Sequence, residues 1–523
     1  MAKTLLSMEN MTIEQKVGMV MCARRYATDD DIDFTIELIK NHALGCVQLP
    51  AHRKDLVEKI LAAADYPILV FNDAETGFPT TSLPQIPLMS LAACSEPEYY
   101  RAFARGVVRD AKAAGFTGNW GPVIDVLRAD GPCRVYRHFS DDPMKVAKSA
   151  EEIARIYRQN HYLSTGKHYP GGHDCIFDTH MTEGYSDVTE KDLIEFDLAP
   201  YKYLMERGLL PCIMTSHTIM RNIDPEYPAT LSKKVLDIIR NMGFDGICFT
   251  DSFAMMGILQ KYGEDNVYGM AVAAGNDIIL PNYRTSTREN YGRLLKNFRD
   301  GVYTEERLNE AVRRVLAAQA FIAEEAECPT PFTAEDEALL GRIARDCVTA
   351  VTDEGVSPAL PENDSRLFII LTENNYAPEN PNPEVSTSPW YHPENIARKI
   401  KEEFPGAGVE FLPEFPAARD NDRVLVAATQ YKEVVFVTFC NTQPYMGTDC
   451  LTRRAEAVVN CLIHSGKISA VVHFGNPFAM KMIHHVPRMI FGYMIPASQE
   501  YAIEALSGKS EPKGRLPFRV ELN

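Results

Sequence analysis

The sequence predicts an α/β fold, a (β/α)8 TIM barrel followed by a second α/β sandwich domain. The chain has 523 residues, too many for one ordinary core. Through residue 280, short apolar runs alternate with longer amphipathic stretches, a pattern typical of parallel βαβ units. Polar and titratable residues follow several of the apolar runs, and a barrel gathers such strand ends into one mouth.

Eight apolar runs are candidate strands, and eight is the number that a (β/α)8 barrel requires. The amphipathic stretches between them have the spacing of helices that cover a sheet. The predicted strands are residues 17–22, 44–49, 68–71, 117–126, 163–168, 211–216, 246–250 and 277–280. The predicted helices include 97–114, 142–159, 190–207 and 232–241.

Side chains that can bind or react lie at the carboxyl ends of five of the eight runs. They are Asp73, Asp125, the pair Lys167 and His168, the pair Ser216 and His217, and Asp251. A doubly wound open sheet also places ligand groups at strand ends, but only near its switch point. A barrel brings groups from many strands together, so the distribution favours the barrel.

A polar, proline-containing segment at residues 324–331 indicates a linker after a helix predicted over 304–323. We therefore predict a catalytic TIM-barrel domain at 1–328 and a C-terminal α/β domain at 329–523. In the second domain we expect strands at 367–371, 434–439, 470–474 and 489–491 and a helix at 451–465. The Asn-, Pro- and Ser-rich segment 374–393 predicts a long loop.

Composition excludes several classes of function. The net charge of -17 disfavours nucleic acid and anionic membranes as partners. No run approaches the roughly 18 apolar residues of a membrane span, and residues 1–15 lack a signal-peptide core. The 12 cysteines show no zinc or CxxC spacing, and Cys212, Cys248 and Cys461 lie in apolar runs typical of core thiols. We expect a cytoplasmic protein, and the oligomeric state is left open.

The densest group of titratable residues surrounds a Pro-Gly turn. The run Lys-His-Tyr-Pro-Gly at 167–171 is followed by Asp178-Thr179-His180. An Asp two residues before a His can orient the imidazole and stabilise its charge, which makes an acid/base device. A lone loop histidine is usually a surface residue, whereas a lysine at a buried strand end needs a polar partner. The stretch predicts an active-site loop. Its acid/base group would need a nucleophilic carboxylate from another part of the chain.

Asp251 is the candidate nucleophile, because it ends the apolar run 246–250. It fits equally well as the N-cap of a helix predicted over 252–259, and only the barrel context favours catalysis. A metal site built from His168, His173, Asp178 and His180 is a further hypothesis. Their spacing matches no zinc pattern, so we favour acid/base chemistry and expect neither a metal nor a cofactor.

These residues resemble glycoside hydrolase family 3, in its β-N-acetylhexosaminidase-like branch with an Asp-His acid/base dyad. The stretch 167–180 resembles the family's KHFPG…D-S/T-H signature at the family's spacing. The resemblance spans nearly the whole chain, and its other segments follow in the family's order. They are 11–18, 72–77, 121–126, 137–139, 214–217, Asp224, 228–232, 243–251, 274–277, 475–477, 506–508 and 514–517.

The resemblance implies a retaining exo-glycoside hydrolase that releases terminal β-linked N-acetylglucosamine from cell-wall fragments or chitooligosaccharides. It implies that Asp251 is the nucleophile, that His180 is the acid/base and that Asp178 is its dyad partner. The small carbohydrate substrate is then held by Asp73, Arg137, Lys167, His168 and His217.

Four departures from the family's pattern bear on specificity, one of them the absence of the family's usual basic residues at 78–81. Gly172 and His173 exchange the usual order, Thr76 replaces a glycine, and Ser252 stands where an acidic or other residue often follows the nucleophile. The alternatives are a β-glucosidase or β-xylosidase, an N-acetylglucosaminide phosphorylase of the same family, and an inactive sugar-binding relative. A histidine acid/base leaves room for an anionic phosphate that a carboxylate would repel.

Overall fold

The computed structural model describes residues 3–80, 83–128, 135–171, 175, 177–324, 329–374, 376, 390–440, 445 and 450–522. The chain forms two compact units. The first comprises Met1–Leu83, Tyr100–Ala129 and Asp142–Glu337, and the second comprises Pro84–Tyr99, Asp130–Asp141 and Ala338–Asn523. The domain bounds predicted at 328 and 329 stay a prediction.

Parallel strands of the first unit form a barrel of eight staves. The strands β1 to β4 pair in chain order, and β5, β7 and β9 pair in a second group. Isolated parallel bridges join β4 to residue 163 and join the segment 277–280 to both β9 and β1, so this segment is the eighth stave. The predicted (β/α)8 class is confirmed. The seven named staves are β1 (Cys22–Ala23), β2 (Cys46–Gln48), β3 (Leu69–Asn72), β4 (Gly118–Asn119), β5 (Thr165–Tyr169), β7 (Cys212–Thr215) and β9 (Ile247–Thr250).

Loops at the carboxyl ends of the staves carry structure of their own. The strand β6 (Gly184–Ser186), in the loop after β5, pairs in parallel with β8 (Thr218–Met220), in the loop after β7. This pairing fixes the far end of the loop that contains Asp178 and His180.

The helices of the first unit follow the predicted alternation. They are α1 (Ile13–Met19), α2 (Asp29–Lys40), α3 (Lys54–Ala62), α5 (Pro97–Ala113), α6 (Pro143–Gln159), α7 (Glu190–Asp192), α8 (Ala199–Met205), α9 (Lys233–Asn241), α10 (Met256–Tyr262), α11 (Val267–Ala274), α12 (Thr287–Arg299) and α13 (Glu305–Ala323). Most of α5 lies in this unit and its first residues lie in the second, which also contains α4 (Leu88–Cys94).

Four predicted elements of the barrel are wrong in their bounds. The strand predicted over 117–126 is limited to the two residues of β4. The run 17–22 is mostly the end of α1, which a capping box between Thr12 and Gln15 starts. A short apolar run does not distinguish a buried helix from a strand. The helix predicted over 190–207 is broken into α7, a π-helical turn at Leu193–Asp197 and α8, because Pro200 lacks an amide for a continuous helix. The helix predicted over 252–259 begins only at Met256.

The second unit contains a mixed six-stranded sheet in the order β10-β15-β14-β13-β11-β12, parallel except for β10 against β15. Its strands are β10 (Thr349–Thr352), β11 (Arg366–Thr372), β12 (Gly408–Pro413), β13 (Glu433–Phe439), β14 (Ile468–Phe474) and β15 (Arg488–Gly492). The four predicted strands are central or next to the edge, whereas the two edge strands, β10 and β12, were not predicted. Edge strands are partly exposed and lack the continuous apolar run of a strand that is buried on both faces.

Most of α14 (Ala334–Asp346) lies in the second unit. Helices α15 (Pro393–Glu403), α16 (Ala418–Thr429), α17 (Arg453–His464) and α18 (Ser498–Ser507) complete this unit. The predicted loop 374–393 lies largely outside the described residues. Cys212 and Cys248 are buried as expected, but Cys461 is exposed, so its core prediction is wrong. Among the described helices, none is both long enough and apolar enough to cross a membrane.

Candidate active site

The barrel mouth collects seven of the eight predicted site residues. Asp73 follows β3, Lys167 and His168 lie on β5, His217 follows β7, and Asp251 follows β9. Asp178 and His180 lie in the loop after β5. Because all these staves are parallel, their carboxyl ends share one face of the barrel.

Lys167 is a buried cation that is held by two carboxylates. Its ammonium nitrogen lies 3.0 Å from Asp73 Oδ1 and 2.5 Å from Glu75 Oε1. The lysine side chain is only 3% exposed, whereas that of Asp73 is 56% exposed. The buried lysine therefore holds Asp73 in position while the carboxylate stays accessible to a ligand. This suits a group that accepts hydrogen bonds from hydroxyls.

His168, on β5, is fixed by a carboxylate in the segment that follows β4. Its Nδ1 lies 2.8 Å from Asp125 Oδ2, and its backbone amide donates to Asp125 Oδ1 at 2.7 Å. The Asp125 side chain is fully buried, so it cannot reorient towards water. These two bonds set both the position and the ring plane of His168.

Asp178 and His180 form the predicted dyad. The imidazole Nδ1 of His180 lies 2.8 Å from Asp178 Oδ1, and the His180 amide donates to the same oxygen at 3.0 Å. The Asp178 side chain is 2% exposed and that of His180 is 19% exposed. Since Nδ1 is engaged by the carboxylate, Nε2 is the nitrogen for proton exchange with a ligand.

The dyad loop contacts the start of α10. The amide of Met256 donates to the carbonyl of His180, and the amide of Gly257 donates to the carbonyl of Thr179, each at 3.1 Å. A Cβ at Gly257 would lie 2.4 Å from the Thr182 carbonyl oxygen and 2.7 Å from that of Thr179. The approach of loop to helix therefore requires glycine at 257.

Asp251 lies among three imidazoles. Desolvation works against its charged form, but His168, His217, His180 and the Ser252 amide together hold the pKa of Asp251 well below its usual value. The Ser252 amide donates to Asp251 Oδ1 at 2.7 Å. An ionised, partly exposed carboxylate at this point is suited to attack an electrophilic carbon.

Asp251 is not a helix N-cap. Helix α10 begins five residues later, at Met256, and Met255 is its N-cap residue. Of the two interpretations that the sequence left open, the structural one is therefore wrong.

His217 is a buried imidazole held by uncharged partners. Its Nδ1 lies 2.9 Å from Thr230 Oγ1, and its Nε2 lies 3.1 Å from the Ser252 carbonyl oxygen. Burial lowers the pKa of His217, and the nearby Asp251 carboxylate opposes that shift. The ring thus fixes the backbone beside the nucleophile, and its predicted contact with substrate stays a prediction.

Two residues of the sequence hypotheses lie elsewhere. Arg137 belongs to the short helix Val135–Arg137 in the second unit, and its predicted role in binding substrate stays a prediction. His173, part of the metal hypothesis, lies outside the described residues. Among the residues that the structure does describe, no three His, Cys, Asp or Glu side chains are grouped to ligate a metal ion.

Two residues that contact the site, Glu75 and Gly257, were not predicted as part of it, whereas Asp125 was among the strand-end side chains expected at the mouth. Glu75 lies in a segment that resembles a family motif, so it carried a sequence signal. Gly257 carried none, because its requirement comes from a loop that is distant in sequence.

Comparisons with known proteins place the chain in a family. The family described as "Glycosyl hydrolase family 3 N terminal domain" matches residues 12–318. A "Beta-N-acetylglucosaminidase/beta-glucosidase" from Cellulomonas fimi is 24% identical over 401 residues, which is 71% of this chain and 70% of the relative.

Two solved structures share the fold over 98% of this chain. One is a glycoside hydrolase family 3 β-N-acetylglucosaminidase from Paenibacillus sp. str. FPU-7, with a TM-score of 0.77, 22% identity and 100% of its own chain covered. The other is the β-glucoside phosphorylase BglX, with a TM-score of 0.79, 20% identity and 96% of its chain covered. The family match covers more than half of the sequence, and the chain belongs to glycoside hydrolase family 3.

Proposed function

We propose that the protein is a retaining exo-hydrolase that releases terminal β-linked N-acetylglucosamine from cell-wall fragments or chitooligosaccharides. The observation that carries the proposal is the pairing of an ionised carboxylate, Asp251, with the imidazole of an Asp178–His180 dyad. The name of the Cellulomonas fimi relative supports the sugar class. A cytoplasmic location remains part of the proposal.

In the first step the Asp251 carboxylate attacks the anomeric carbon of the sugar. The glycosidic C–O bond breaks as His180 donates its Nε2 proton to the departing oxygen, and a glycosyl-enzyme ester forms on Asp251. Asp178 stabilises the imidazolium before transfer and holds the ring in place.

In the second step a water molecule attacks the same carbon. His180 takes the proton of the water, the ester bond breaks, and its electron pair returns to the Asp251 carboxylate. Asp73, Lys167 and His168 hold the sugar hydroxyls, through charge-assisted hydrogen bonds, while both steps occur.

A second candidate is transfer of the sugar to phosphate by the same residues. It is favoured by the choice of an imidazole as acid/base, because a neutral ring does not repel an anionic acceptor as a carboxylate would. The similarity in fold to a β-glucoside phosphorylase is consistent with it.

The test compares an aryl N-acetyl-β-glucosaminide with an aryl β-glucoside, each with and without phosphate. We expect the N-acetyl substrate to be cleaved faster, by at least about tenfold in kcat/KM, since a site that pairs a polar substituent discriminates strongly. Failure on every aryl sugar would overturn the proposal. A 2-fluoro sugar with an activated leaving group should label Asp251, and labelling of a different residue would contradict its role as nucleophile.

A further inference from the structure

Arg24 lies at the barrel mouth, and its guanidinium contacts residues at the carboxyl ends of three other staves. It follows β1, and its Nε donates to Gln48 Oε1 at 2.7 Å. Its Nη1 donates to Ser252 Oγ at 2.7 Å and to the Pro281 carbonyl oxygen at 3.4 Å. These contacts fix the guanidinium beside the residue that follows the nucleophile.

The charge of Arg24 is not neutralised by a carboxylate among the described residues. The neighbouring Arg25, by contrast, pairs with Asp31 at 3.1 Å. Arg24 Nη2 has no hydrogen-bond partner in the described part of the chain. A partly buried guanidinium that keeps a full charge and two N–H donors is a ready partner for an anion.

Ser252 supplies a second donor at the same place. Its oxygen accepts from Arg24 and, at 3.3 Å, from the amide of Ala254. Its own hydroxyl hydrogen has no acceptor among the residues described. An acidic side chain at this position would neutralise Arg24, whereas serine preserves the positive charge.

Tyr283 borders the guanidinium on one side. The ring is 41% exposed, and the Arg24 guanidinium carbon lies 5.4 Å from its centroid. An exposed ring against a fixed cation keeps the guanidinium in place and excludes water from one of its faces.

We propose that Arg24 and Ser252 form an oxyanion-binding subsite beside Asp251. The ligand is a phosphate that accepts the sugar or a carboxylate on the departing group of the substrate. Both present two oxygens to a guanidinium in the same way. The inference deepens the proposed function and rests on it for the position of the sugar.

With phosphate as ligand, the chemistry balances without a further reactant. An oxygen of dihydrogen phosphate attacks the anomeric carbon of the glycosyl-enzyme, and its proton passes to His180. The ester bond to Asp251 breaks and the electron pair returns to the carboxylate, so a sugar 1-phosphate leaves. Arg24 offsets the charge of the phosphate beside the carboxylate that Asp251 regains as the ester breaks.

The first experiment measures binding without turnover. The melting temperature of the protein is recorded in rising sodium phosphate or sulfate against sodium chloride of equal ionic strength. We expect a specific rise of about 2 °C or more near saturation, because a ligand of the folded state stabilises it. The rise should vanish in Arg24→Gln and Ser252→Asp and persist in part in Arg24→Lys.

Arg221→Gln is the matched control. This arginine is exposed, lies after β8 and pairs with Asp187, so its replacement should leave the anion effect unchanged. No specific rise in the wild-type protein, or a rise that survives in both Arg24→Gln and Ser252→Asp, overturns the subsite. Circular dichroism checks that each variant is folded. If Arg24→Gln does not fold, Ser252→Asp still tests the subsite.

The second experiment separates the two sources of the oxyanion. Formation of a sugar 1-phosphate, followed by phosphorus NMR and lost in Arg24→Gln, assigns phosphate as acceptor. A KM at least about tenfold lower for a 4-carboxyphenyl than for a 4-carbamoylphenyl glycoside, lost in the same variant, assigns a carboxylate on the departing group. If neither effect occurs although aryl sugars are cleaved, the subsite is wrong while the proposed function stands. If no sugar is cleaved but the specific melting effect is present, the proposed function fails and the anion site remains.

Discussion

Two His–Asp pairs at the barrel mouth have almost the same geometry but different supports. Each imidazole Nδ1 lies 2.8 Å from a carboxylate oxygen, and each histidine amide donates to the same carboxylate. The partner of His168 lies 43 residues away, in the segment after β4 that bridges to β5 at Val123 and Lys167, whereas the partner of His180 lies two residues away in one loop. The position of the first pair is set by the barrel. The position of the second pair depends on how rigidly its loop is held.

This difference in support suits two different roles, sugar binding and proton transfer. A group that binds a sugar hydroxyl gains from a rigid support, because misplacement directly lowers the affinity. An acid/base must deliver and retrieve a proton at one oxygen, and its position depends on the contacts between its loop and α10. The pair on the barrel is therefore expected to bind, and the pair on the loop to transfer protons.

The largest expected effect comes from removing each imidazole in turn. His180→Ala should slow substrates with poorly acidic leaving groups by about 10²- to 10⁴-fold and activated aryl substrates far less, since only the former need a general acid. His168→Ala should lower kcat/KM for both by a similar factor. The measurement is a plot of log kcat/KM against leaving-group pKa for each variant, and uniform slowing in His180→Ala would count against an acid role.

The second effect tests the support of the loop. In Gly257→Ala the new methyl group would overlap the carbonyl oxygens of Thr182 and Thr179, so the dyad must move. A shift of about 1 Å should lower kcat by about 10²-fold on poor leaving groups. Labelling of Asp251 by an activated 2-fluoro sugar should continue, because it needs no acid.

Gly292→Ala is the control for this variant. Gly292 lies in α12, is exposed, and a Cβ there meets nothing within 4 Å. We expect unchanged kinetics and a gain in stability of about 0.5–1 kcal/mol. Equal kinetics of the two alanine variants would show that the loop does not depend on Gly257.

The same contrast explains how much of the site the sequence predicts. Asp178 and His180 are two residues apart, so their hydrogen bond is a local property and was expected. Asp125 and His168 meet only because the segment after β4 runs beside β5, and sequence spacing carries no sign of their pairing. Gly257 depends on a close approach of two loops, which is a tertiary property.

The prediction of the fold also succeeded for local features and failed for those that depend on tertiary contacts or exposure. Central staves are buried on both faces and leave continuous apolar runs, so their existence was predicted well. The start of α10 was misplaced because the amides of Met256 and Gly257 donate to the dyad loop, a partner that local helix signals do not reveal. Edge strands β10 and β12 were missed because partial exposure removes the apolar run.

A third, smaller effect concerns Asp178 and Asp125, the carboxylate partners of the two histidines. Asp178→Asn removes the charge that stabilises the imidazolium, and His180 must be protonated to donate in the first step, so the basic limb of the kcat/KM profile should move to lower pH, with a loss of about tenfold in rate. The lowered pKa of Asp251 keeps that carboxylate ionised through the same range, so the limb does not report on it. Asp125→Asn should raise KM and leave the limb in place. An equal shift in both variants would contradict the division of work between the pairs.

The smallest effect on activity is expected at a histidine with no carboxylate partner. His473 lies in β14 of the second unit, with Nδ1 2.8 Å from Thr438 Oγ1 and Nε2 2.8 Å from the Asn476 carbonyl oxygen. Burial lowers its pKa to about 4. The folded state therefore favours the neutral ring, so stability is full above pH 6.5 and falls as the pH drops towards 4.

The loss amounts to about 3 kcal/mol at most, since one pKa unit corresponds to about 1.4 kcal/mol. His473→Gln keeps a donor and an acceptor but cannot titrate, so its unfolding transition should depend less on pH between 7 and 4.5 than that of the wild type. His485→Gln, at an exposed histidine that bonds to Asp353, should keep the wild-type dependence. If His473→Gln keeps it as well, the buried ring does not control the acid sensitivity of the second unit. Because the uncharged partners of His473 cannot stabilise an imidazolium, the comparison isolates what a carboxylate contributes to His168 and His180.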